Sequence, residues 1–171
     1  CPSSVVKDLL ILEKISNNST IDIVGNPVNV DVFKPKITLP KNNKDLYEIV
    51  FFGRIHPEKG VHLLCKALDI IRNKGYNVKL KLIGPYIKKS GGGGKKYFND
   101  LYNFFPIIKH VSSISDPTIL HKEIIRSDFF CYPSLAEKGE TFGVSIIEAM
   151  SSGLPVIVSK LKCFSDFIIE N

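Results

Sequence analysis

Short, unbroken apolar runs alternate along the chain with longer stretches in which apolar residues recur every three or four positions. The runs at 48–52 and 129–132 are almost wholly apolar, which is typical of strands covered on both faces in a parallel sheet. The longer stretches have the period of amphipathic helices. This alternation predicts an α/β domain with a Rossmann-like, doubly wound parallel sheet, in which ligands bind at the C-terminal ends of the strands.

The same pattern predicts the positions of the individual elements. The predicted strands are residues 21–24, 48–52, 78–83, 107–111, 129–132 and 155–158. The predicted helices are residues 3–17, 57–74, 96–105, 117–126 and 142–152, with caps at Ser3 or Ser4 and at Asp116. Residues 26–35 contain too many turn-forming residues for a regular element.

The predicted helix at 142–152 is apolar around most of its girth. Thr141 is its predicted N-cap, and Gly153 followed by Pro155 ends it. We expect this helix to be buried, because apolar side chains form one face and flank it on both sides: Phe142, Ile146, Ala149 and Met150, with Val144 and Ile147.

Two glutamates interrupt this apolar stretch. Glu140 and Glu148 would lie about 12 Å apart along the axis if both were helical. Gly143 removes a side chain from the first turn, where backbone N–H groups are free and the helix dipole is positive. A diphosphate could bind there, with a carboxylate at either end to accept hydrogen bonds from hydroxyl groups. The alternative is a capped core helix whose glutamates pair with lysines at the surface.

Composition indicates a soluble globular domain. Of the 171 residues, 44% are hydrophobic and 23% are charged, and no apolar run reaches the roughly 18 residues of a membrane span. The formal charge of +6 goes with a group of lysines: Lys79, Lys81, Lys88, Lys89, Lys95 and Lys96. They form either a solvated face or a surface for an anionic partner, such as a membrane that carries a lipid-linked acceptor. Nucleic-acid binding is not predicted, because no recognition motif accompanies the charge.

The cysteines are widely dispersed and have no metal-ligand spacing, so we expect reduced core thiols in a cytosolic protein: Cys1, Cys65, Cys131 and Cys163. The chain begins at Cys1 without a methionine or a signal peptide, and we expect it to be a fragment of a longer protein. The glycine-rich run at 90–96 lacks the spacing of a phosphate-binding P-loop. We therefore expect a flexible loop there.

Three motifs together resemble those of a known family. Glu140 and Glu148 form an E-x7-E element with Phe142-Gly143 between them, and Glu-Ala-Met-x-x-Gly-x-Pro-Val begins at Glu148. Residues 53–60 contain Gly-Arg-x4-Lys-Gly, and residues 26–35 are similar to an interdomain linker, with Pro27 where the family has glycine. The chain is thus similar to the retaining, nucleotide-sugar-dependent glycosyltransferases of group 1 (family-4 type), which have the two-domain GT-B architecture.

The resemblance implies a domain organisation. Residues 1–25 would be the trailing segment of an N-terminal domain, residues 26–44 the linker, and residues 45–171 a nucleotide-sugar-binding domain of Rossmann type. It also implies a UDP-, GDP- or ADP-sugar donor, a saccharide or lipid-linked acceptor, no further cofactor and no metal. Because the acceptor site belongs to the other domain in this family, we expect residues 1–171 alone to transfer no sugar.

The family's functional residues carry over to matching positions. Arg54 and Lys59 would clamp the donor diphosphate, Glu140 would face the donor sugar and Glu148 would bind the ribose hydroxyls. The predicted catalytic residues are therefore Glu140, Arg54 and Lys59. The remaining predicted donor contacts are backbone or turn positions: Gly53, Gly84, Pro85, Val111, Ser112, Thr141, Phe142 and Gly143.

Some positions remain open. Glu137 could share the sugar-facing role, and Asp166 is loosely placed where the family often has a glutamate. The histidines are expected to have ordinary surface or packing roles: His56, His62, His110 and His121. Two other functions fit the α/β pattern, a nucleotide-sugar epimerase and a noncatalytic nucleotide-binding module.

Overall fold

The sheet has five parallel strands. A computed structural model describes residues 1–16, 20–35, 46–137 and 139–169. The strands are β1 (Tyr47–Phe52), β2 (Val78–Ile83), β3 (Ile108–Val111), β4 (Phe129–Tyr132) and β5 (Val156–Val158). Their order across the sheet is β3-β2-β1-β4-β5, and every neighbouring pair is parallel. This confirms the doubly wound α/β fold.

Helices connect these strands close to the predicted positions. They are α1 (Ser4–Leu12), α2 (Val61–Asn73), α3 (Lys95–Phe104), α4 (Pro117–Ile124) and α5 (Val144–Ser151). Short 3-10 turns occur at Pro57–Lys59, Lys88–Ser90 and Lys162–Phe164. The Asp116 carboxylate caps α4 by accepting from the backbone N–H groups of Thr118 and Ile119, as predicted. Among the described residues, no helix is both long and apolar enough to span a bilayer.

The N-terminal segment differs from the prediction. Ser3 caps α1 as expected, but the helix ends at Leu12, and residues 17–19 lie outside the described residues. The predicted strand at 21–24 is wrong. Its backbone pairs with the chain start, because Val24 N donates to Cys1 O at 2.8 Å and the Cys1 amino group donates to Asp22 O at 2.8 Å. This segment therefore finds its hydrogen-bond partners outside the sheet.

The core lies on both faces of the sheet. Val50, Phe51 and Phe52 of β1 are buried, as expected for a central strand between two helical layers. Helix α2 buries one stripe at helical spacing against the sheet: Val61, Leu64, Cys65 and Leu68. Helix α5 packs on β4 and β5. The free cysteines other than Cys1 are buried in this core, as predicted.

A buried charge network connects β1, β2 and the end of α4. The Glu48 carboxylate contacts Lys79 Nζ at 2.8 Å and Lys81 Nζ at 2.5 Å, and it accepts from Ser127 Oγ at 2.8 Å. Lys81 Nζ also donates to Glu123 O at 3.1 Å. Burial alone would raise the pKa of Glu48, but the hydrogen bonds from the two lysines and Ser127 lower it below its usual value.

This network corrects the predicted lysine face. Lys81 is 2% exposed and Lys79 pairs with a buried carboxylate, so neither belongs to a solvated or membrane-facing group. In β1 and β2, Glu48 lies opposite Lys79 in the register, which a linear charge count cannot show. The remaining lysines of the predicted group are exposed: Lys88, Lys89, Lys95 and Lys96.

Replacing Glu48 should destabilise the fold and change its pH dependence. Glu48→Gln leaves buried Lys81 with only the more distant Glu123 carboxylate, 3.8 Å away, as a counter-charge, so we expect the free energy of unfolding to fall by about 3 kcal/mol near neutral pH. Because the pKa of Glu48 is lower in the folded chain, its ionised form stabilises the fold above the unfolded-state pKa of about 4.5. That stabilisation is lost as pH falls through the folded-state pKa.

Urea unfolding at neutral and acidic pH measures both effects. The difference between wild type and Glu48→Gln should be large at neutral pH and should shrink at acidic pH. Asp31→Asn is the matched control, since Asp31 forms an exposed ion pair with Lys34 and should change little. An equal effect of the two substitutions at neutral pH would contradict the described network.

Candidate functional site at the carboxyl edge of the sheet

Four loops meet at the C-terminal ends of the parallel strands. They are residues 53–60 after β1, 84–94 after β2, 112–116 after β3, and 133–137 with 139–143 after β4. The strand order reverses between β1 and β4, because β2 and β3 lie on one side of β1 and β4 and β5 on the other. Open α/β sheets bind ligands in the crevice at such a switch point. The fold therefore directs attention to the loops after β1 and β4.

These two loops are packed backbone against backbone. Gly60 has a φ of +66°, and a Cβ atom added there would lie 1.9 Å from Pro133 O. A side chain at position 60 would therefore push the loops apart. Leu135 N donates to Glu58 O at 2.7 Å and closes the contact from the other side. This packing brings Lys59 and Glu140 together.

Lys59 and Glu140 form a buried ion pair. Lys59 Nζ lies 2.7 Å from Glu140 Oε2, and their side chains are 7% and 9% exposed. Ser134 Oγ donates to the same carboxylate oxygen at 2.9 Å. The Tyr132 ring lies 5.7 Å from Lys59 Nζ, and burial, followed by the negative charge of Glu140, raises the pKa of its hydroxyl. Two of the predicted catalytic residues thus contact each other directly.

Arg54 lies at the rim of the site, with its side chain about half exposed. Its Nη2 donates to Glu58 Oε1 at 2.6 Å, and its Nη1 donates to Gly91 O at 3.2 Å. A guanidinium group has five N–H donors, so these two bonds leave donors available for a ligand.

A cleft of 330 Å³ extends from Arg54 to α5. Its lining combines loop and helix positions: Phe52, Gly53, Arg54, Ile83, Gly84, Pro85, Ser113, Ile114, Leu120, Ser145 and Glu148. Burial raises the pKa of the Glu148 carboxyl group, and within the described parts of the chain no hydrogen bond or ion pair satisfies it. A partly buried carboxyl group that faces a cleft without a protein partner can accept hydrogen bonds from ligand hydroxyl groups.

The N-terminus of α5 differs from the prediction. The N-cap is Gly143, with a φ of +84° and no capping side chain, whereas Thr141 lies outside the helix and is exposed. Phe142 is buried against Phe167, with ring centroids 4.8 Å apart. Glu140 is not helical, so the predicted 12 Å axial spacing does not apply. The uncapped first turn can still receive an anion, as expected from Gly143.

Helix α5 is buried on one side. Ile146 and Ala149 face the core, but Val144 and Met150 are each 41% exposed. The prediction of a buried helix is therefore confirmed for the Ile146 and Ala149 face and wrong for Val144 and Met150. The C-terminus is as predicted, since Gly153 follows the C-cap Ser152 in a left-handed conformation.

The cleft includes residues that the motifs did not identify. Ser113 and Ile114 line it, while the predicted Ser112 is exposed outside it and Val111 O accepts from Gly84 N at 3.0 Å. Ser145 also lines the cleft. Its spacing of three residues from Glu148 places both on one helix face, so helical periodicity could have identified it.

Other predicted positions have structural contacts. The Asp166 carboxylate accepts from Ser4 N at 2.7 Å and so caps α1. Glu137 is exposed. The histidines contact protein groups: His56 with Glu58 N, His62 with the Tyr97 hydroxyl, His110 with Gly84 O, and His121 with Ser152 Oγ. His110 contacts the cleft-lining turn, since its Nε2 donates to the Gly84 carbonyl oxygen at 2.9 Å.

A larger groove lies near the opposite end of the sheet and has a different character. Its volume is 510 Å³, and its lining carries no charged side chain: Tyr47, Ile49, Leu64, Ala67, Leu68, Ile71, Tyr76, Val78, Phe129, Cys131 and Ile157. A diphosphate needs charged or N–H donors, so the smaller polar cleft is the better candidate despite its size. No group of three or more potential metal ligands occurs among the residues that the structure describes.

Residues 34–171 match the family model for Glycosyl transferases group 1. This match includes the β1 turn, the α5 region and every strand of the sheet. The chain belongs to this family, and it corresponds to the C-terminal domain of the family's members.

Among sequence relatives, it is 26% identical to the capsular polysaccharide biosynthesis glycosyltransferase CapM of Staphylococcus aureus, over 98% of this chain and 44% of that protein. It is 28% identical to the lipopolysaccharide 1,2-N-acetylglucosaminetransferase of Salmonella typhimurium, over 89% of this chain and 42% of that protein. The chain thus spans less than half the length of these relatives.

The fold also matches solved glycosyltransferase structures. A glycosyltransferase of Rickettsia africae aligns with a TM-score of 0.78 at 20% identity, over 98% of this chain and 45% of that protein. Anabaena HepE in complex with UDP and glucose aligns with a TM-score of 0.71 at 18% identity, over 99% of this chain and 46% of that protein. At this identity the likeness supports the fold, a Rossmann-like domain of GT-B type.

The Lys59–Glu140 contact can be tested by a double-mutant cycle. Lys59→Met or Glu140→Leu alone leaves one buried charge without a partner, and each should lower the free energy of unfolding by about 3 kcal/mol. The double substitution removes both charges and should be less destabilising than the sum of the two. Urea denaturation of the four proteins gives the coupling free energy. Additive effects would show that the two side chains do not interact.

Proposed function

We propose that this chain is the donor-binding part of a retaining glycosyltransferase that transfers a sugar from a nucleoside diphosphate sugar to a saccharide or lipid-linked acceptor. The observation that carries the proposal is the arrangement around one cleft. Arg54 and Glu148 both line the cleft, the Glu148 carboxyl group has no hydrogen-bond or ion-pair partner among the described residues, and Ser145 in the uncapped first turn of α5 lines the cleft as well. These are the groups that a ligand with a diphosphate and a ribose requires.

Each part of the cleft matches one part of such a donor. Arg54 and the α5 N-terminus offer N–H groups and positive potential to the diphosphate. Glu148 accepts hydrogen bonds from the ribose hydroxyls. Gly53, Gly84 and Pro85 lie on the cleft wall, with no long side chain to prevent the base from approaching the backbone.

The buried ion pair would act on the reacting end of the donor. As the glycosidic bond breaks, negative charge grows on the leaving diphosphate, and the fixed cations Arg54 and Lys59 stabilise that charge more than the ground state. Lys59 and Ser134 hold the Glu140 carboxylate in one orientation. A carboxylate that is fixed in this way can orient the hydroxyl groups of the donor sugar.

The relatives support the class of acceptor. CapM is named for capsular polysaccharide biosynthesis, and a Mycobacterium leprae relative with 27% identity, over 82% of this chain and 36% of that protein, is a phosphatidyl-myo-inositol mannosyltransferase. By analogy, we propose an acceptor in polysaccharide, lipopolysaccharide or glycolipid synthesis. We expect transfer to require the regions that these longer relatives have outside the segment matched by this chain.

The chain should bind UDP, GDP or ADP, because the phosphate and ribose contacts lie within it. At a nucleotide concentration a hundredfold above the dissociation constant, binding stabilises the fold by about 2.7 kcal/mol, which a thermal melt detects. Arg54→Ala should reduce the shift, whereas Lys122→Ala, an exposed position on α4, should not. The absence of any heat in calorimetry and of any shift at millimolar concentrations of all three nucleotides would count against the proposal.

In a longer protein that contains this chain, transfer should retain the anomeric configuration and need no divalent metal. Arg54→Ala or Lys59→Ala should lower kcat/KM about a hundredfold, because each removes a preorganised donor from the place where negative charge develops in the transition state. Glu148→Ala should mainly raise the donor KM, because ribose is bound similarly in the ground and transition states.

Product stereochemistry by NMR and rates in EDTA check the mechanism. An inverted product would overturn retention, and activity lost in EDTA and restored by Mn²⁺ would overturn metal independence. Melting curves of the Lys59 variant must accompany the rates, because that substitution also leaves Glu140 unpaired.

A further inference from the structure

The glycine-rich loop at 90–94 lies directly against Arg54. Gly91 O accepts from Arg54 Nη1 at 3.2 Å. A Cβ atom added to Gly91 would lie 2.9 Å from Arg54 Cδ, closer than a side chain can normally approach, and 3.5 Å from Nη1, which is an ordinary contact. Position 91 therefore must lack a side chain for Arg54 to keep this position.

Backbone hydrogen bonds connect this loop to the segment after β1 and to the preceding residues after β2, which differs from the flexible loop predicted from its glycines. Gly93 N donates to Ile55 O at 2.8 Å, immediately after Arg54. Gly94 N donates to Tyr86 O at 2.7 Å, and Gly92 N donates to Ile87 O at 3.0 Å. The carbonyl group of Gly91 is thus presented by a hydrogen-bonded loop whose position relative to Arg54 is fixed.

Glu58 holds the guanidinium group from the opposite side. Its Oε1 accepts from Nη2 at 2.6 Å, so Arg54 lies between a carboxylate and a carbonyl group. A half-exposed arginine otherwise samples many rotamers, and ordering it on ligand binding costs side-chain entropy. Holding the side chain before the ligand arrives removes part of that cost.

We propose that the loop at 90–94, through Gly91, is a positioning element for Arg54: together with Glu58 it holds the guanidinium group in the orientation that binds the diphosphate of the donor. This inference rests on the proposed function, in which Arg54 contacts that diphosphate. It assigns the loop a role in phosphate recognition through Arg54 and not through its own N–H groups.

The test compares Gly91→Ala with Gly75→Ala. Both glycines have positive φ, +79° and +92°, so both substitutions strain the backbone, but a Cβ atom at position 75 meets nothing within 4 Å. Calorimetry with the nucleoside diphosphate that the wild-type chain binds, and with its monophosphate, measures the effect.

Gly91→Ala should weaken diphosphate binding about threefold to tenfold, less than the tenfold or more expected for Arg54→Ala. It should change monophosphate binding much less, which a general loosening of the fold would not do. Gly75→Ala should change neither. If Gly91→Ala weakened binding of both nucleotides equally, or left binding of the diphosphate unchanged, the inference would be overturned.

The double variant Arg54→Ala/Gly91→Ala separates this inference from the proposed function. If Gly91 acts through Arg54, adding Gly91→Ala to Arg54→Ala causes no further loss, whereas a full additional loss would mean that the loop contacts the ligand itself. Unchanged diphosphate binding in Arg54→Ala would instead contradict the proposed function at that residue.

Should Gly91→Ala fail to fold, Glu58→Gln tests the same idea, since it keeps the shape but removes the charge that holds Nη2. This substitution should also weaken binding of the diphosphate more than binding of the monophosphate. An unchanged ratio of the two affinities would overturn the inference.

Discussion

The ion pair between Lys59 and Glu140 connects two loops that are 81 residues apart in sequence. Both charges are buried, so neither can leave its partner without a large loss of free energy. Gly60 makes the contact possible, because its missing side chain lets the loop after β1 touch the Pro133 carbonyl of the loop after β4. The pair therefore fixes the geometry of the crevice where the strand order reverses, and the proposed donor site is built around that crevice.

The two cations of this site differ in their surroundings, and this suggests a division of tasks. Arg54 is half exposed and retains free donors, which suits direct contact with a diphosphate. Lys59 is nearly inaccessible and paired, which suits a fixed charge that acts over a short distance through a poorly solvated region. Glu148 contributes a third kind of group, a carboxyl group that has no hydrogen-bond or ion-pair partner among the described residues. The site thus combines Arg54, a flexible side chain held by its neighbours, with the Lys59–Glu140 pair, whose charges are held in place by burial.

The fold was more predictable from sequence than the site. Strands at 78–83 and 129–132 were predicted at their observed ends, because turn residues bound each of them: the first alternates apolar residues with lysines, and the second is an apolar run. The strand predicted at residues 21–24 is absent from the sheet, because the backbone of this segment bonds to the chain start instead. In the site, Gly143 replaces Thr141 as the cap because its left-handed conformation ends the loop two residues later. The contact of Arg54 with Gly91 joins residues 37 positions apart, and no local pattern reports it.

The central claim is that a nucleoside diphosphate binds at the carboxyl edge between β1 and β4. Amide chemical shifts of the isotope-labelled chain, followed during titration with UDP, GDP and ADP, test it most directly. The account predicts that the largest shifts for the nucleotide that binds occur in residues 53–60, around Gly84 and in 143–148. Shifts concentrated instead at the apolar groove around Tyr76 and Phe129, or along β5, would contradict it.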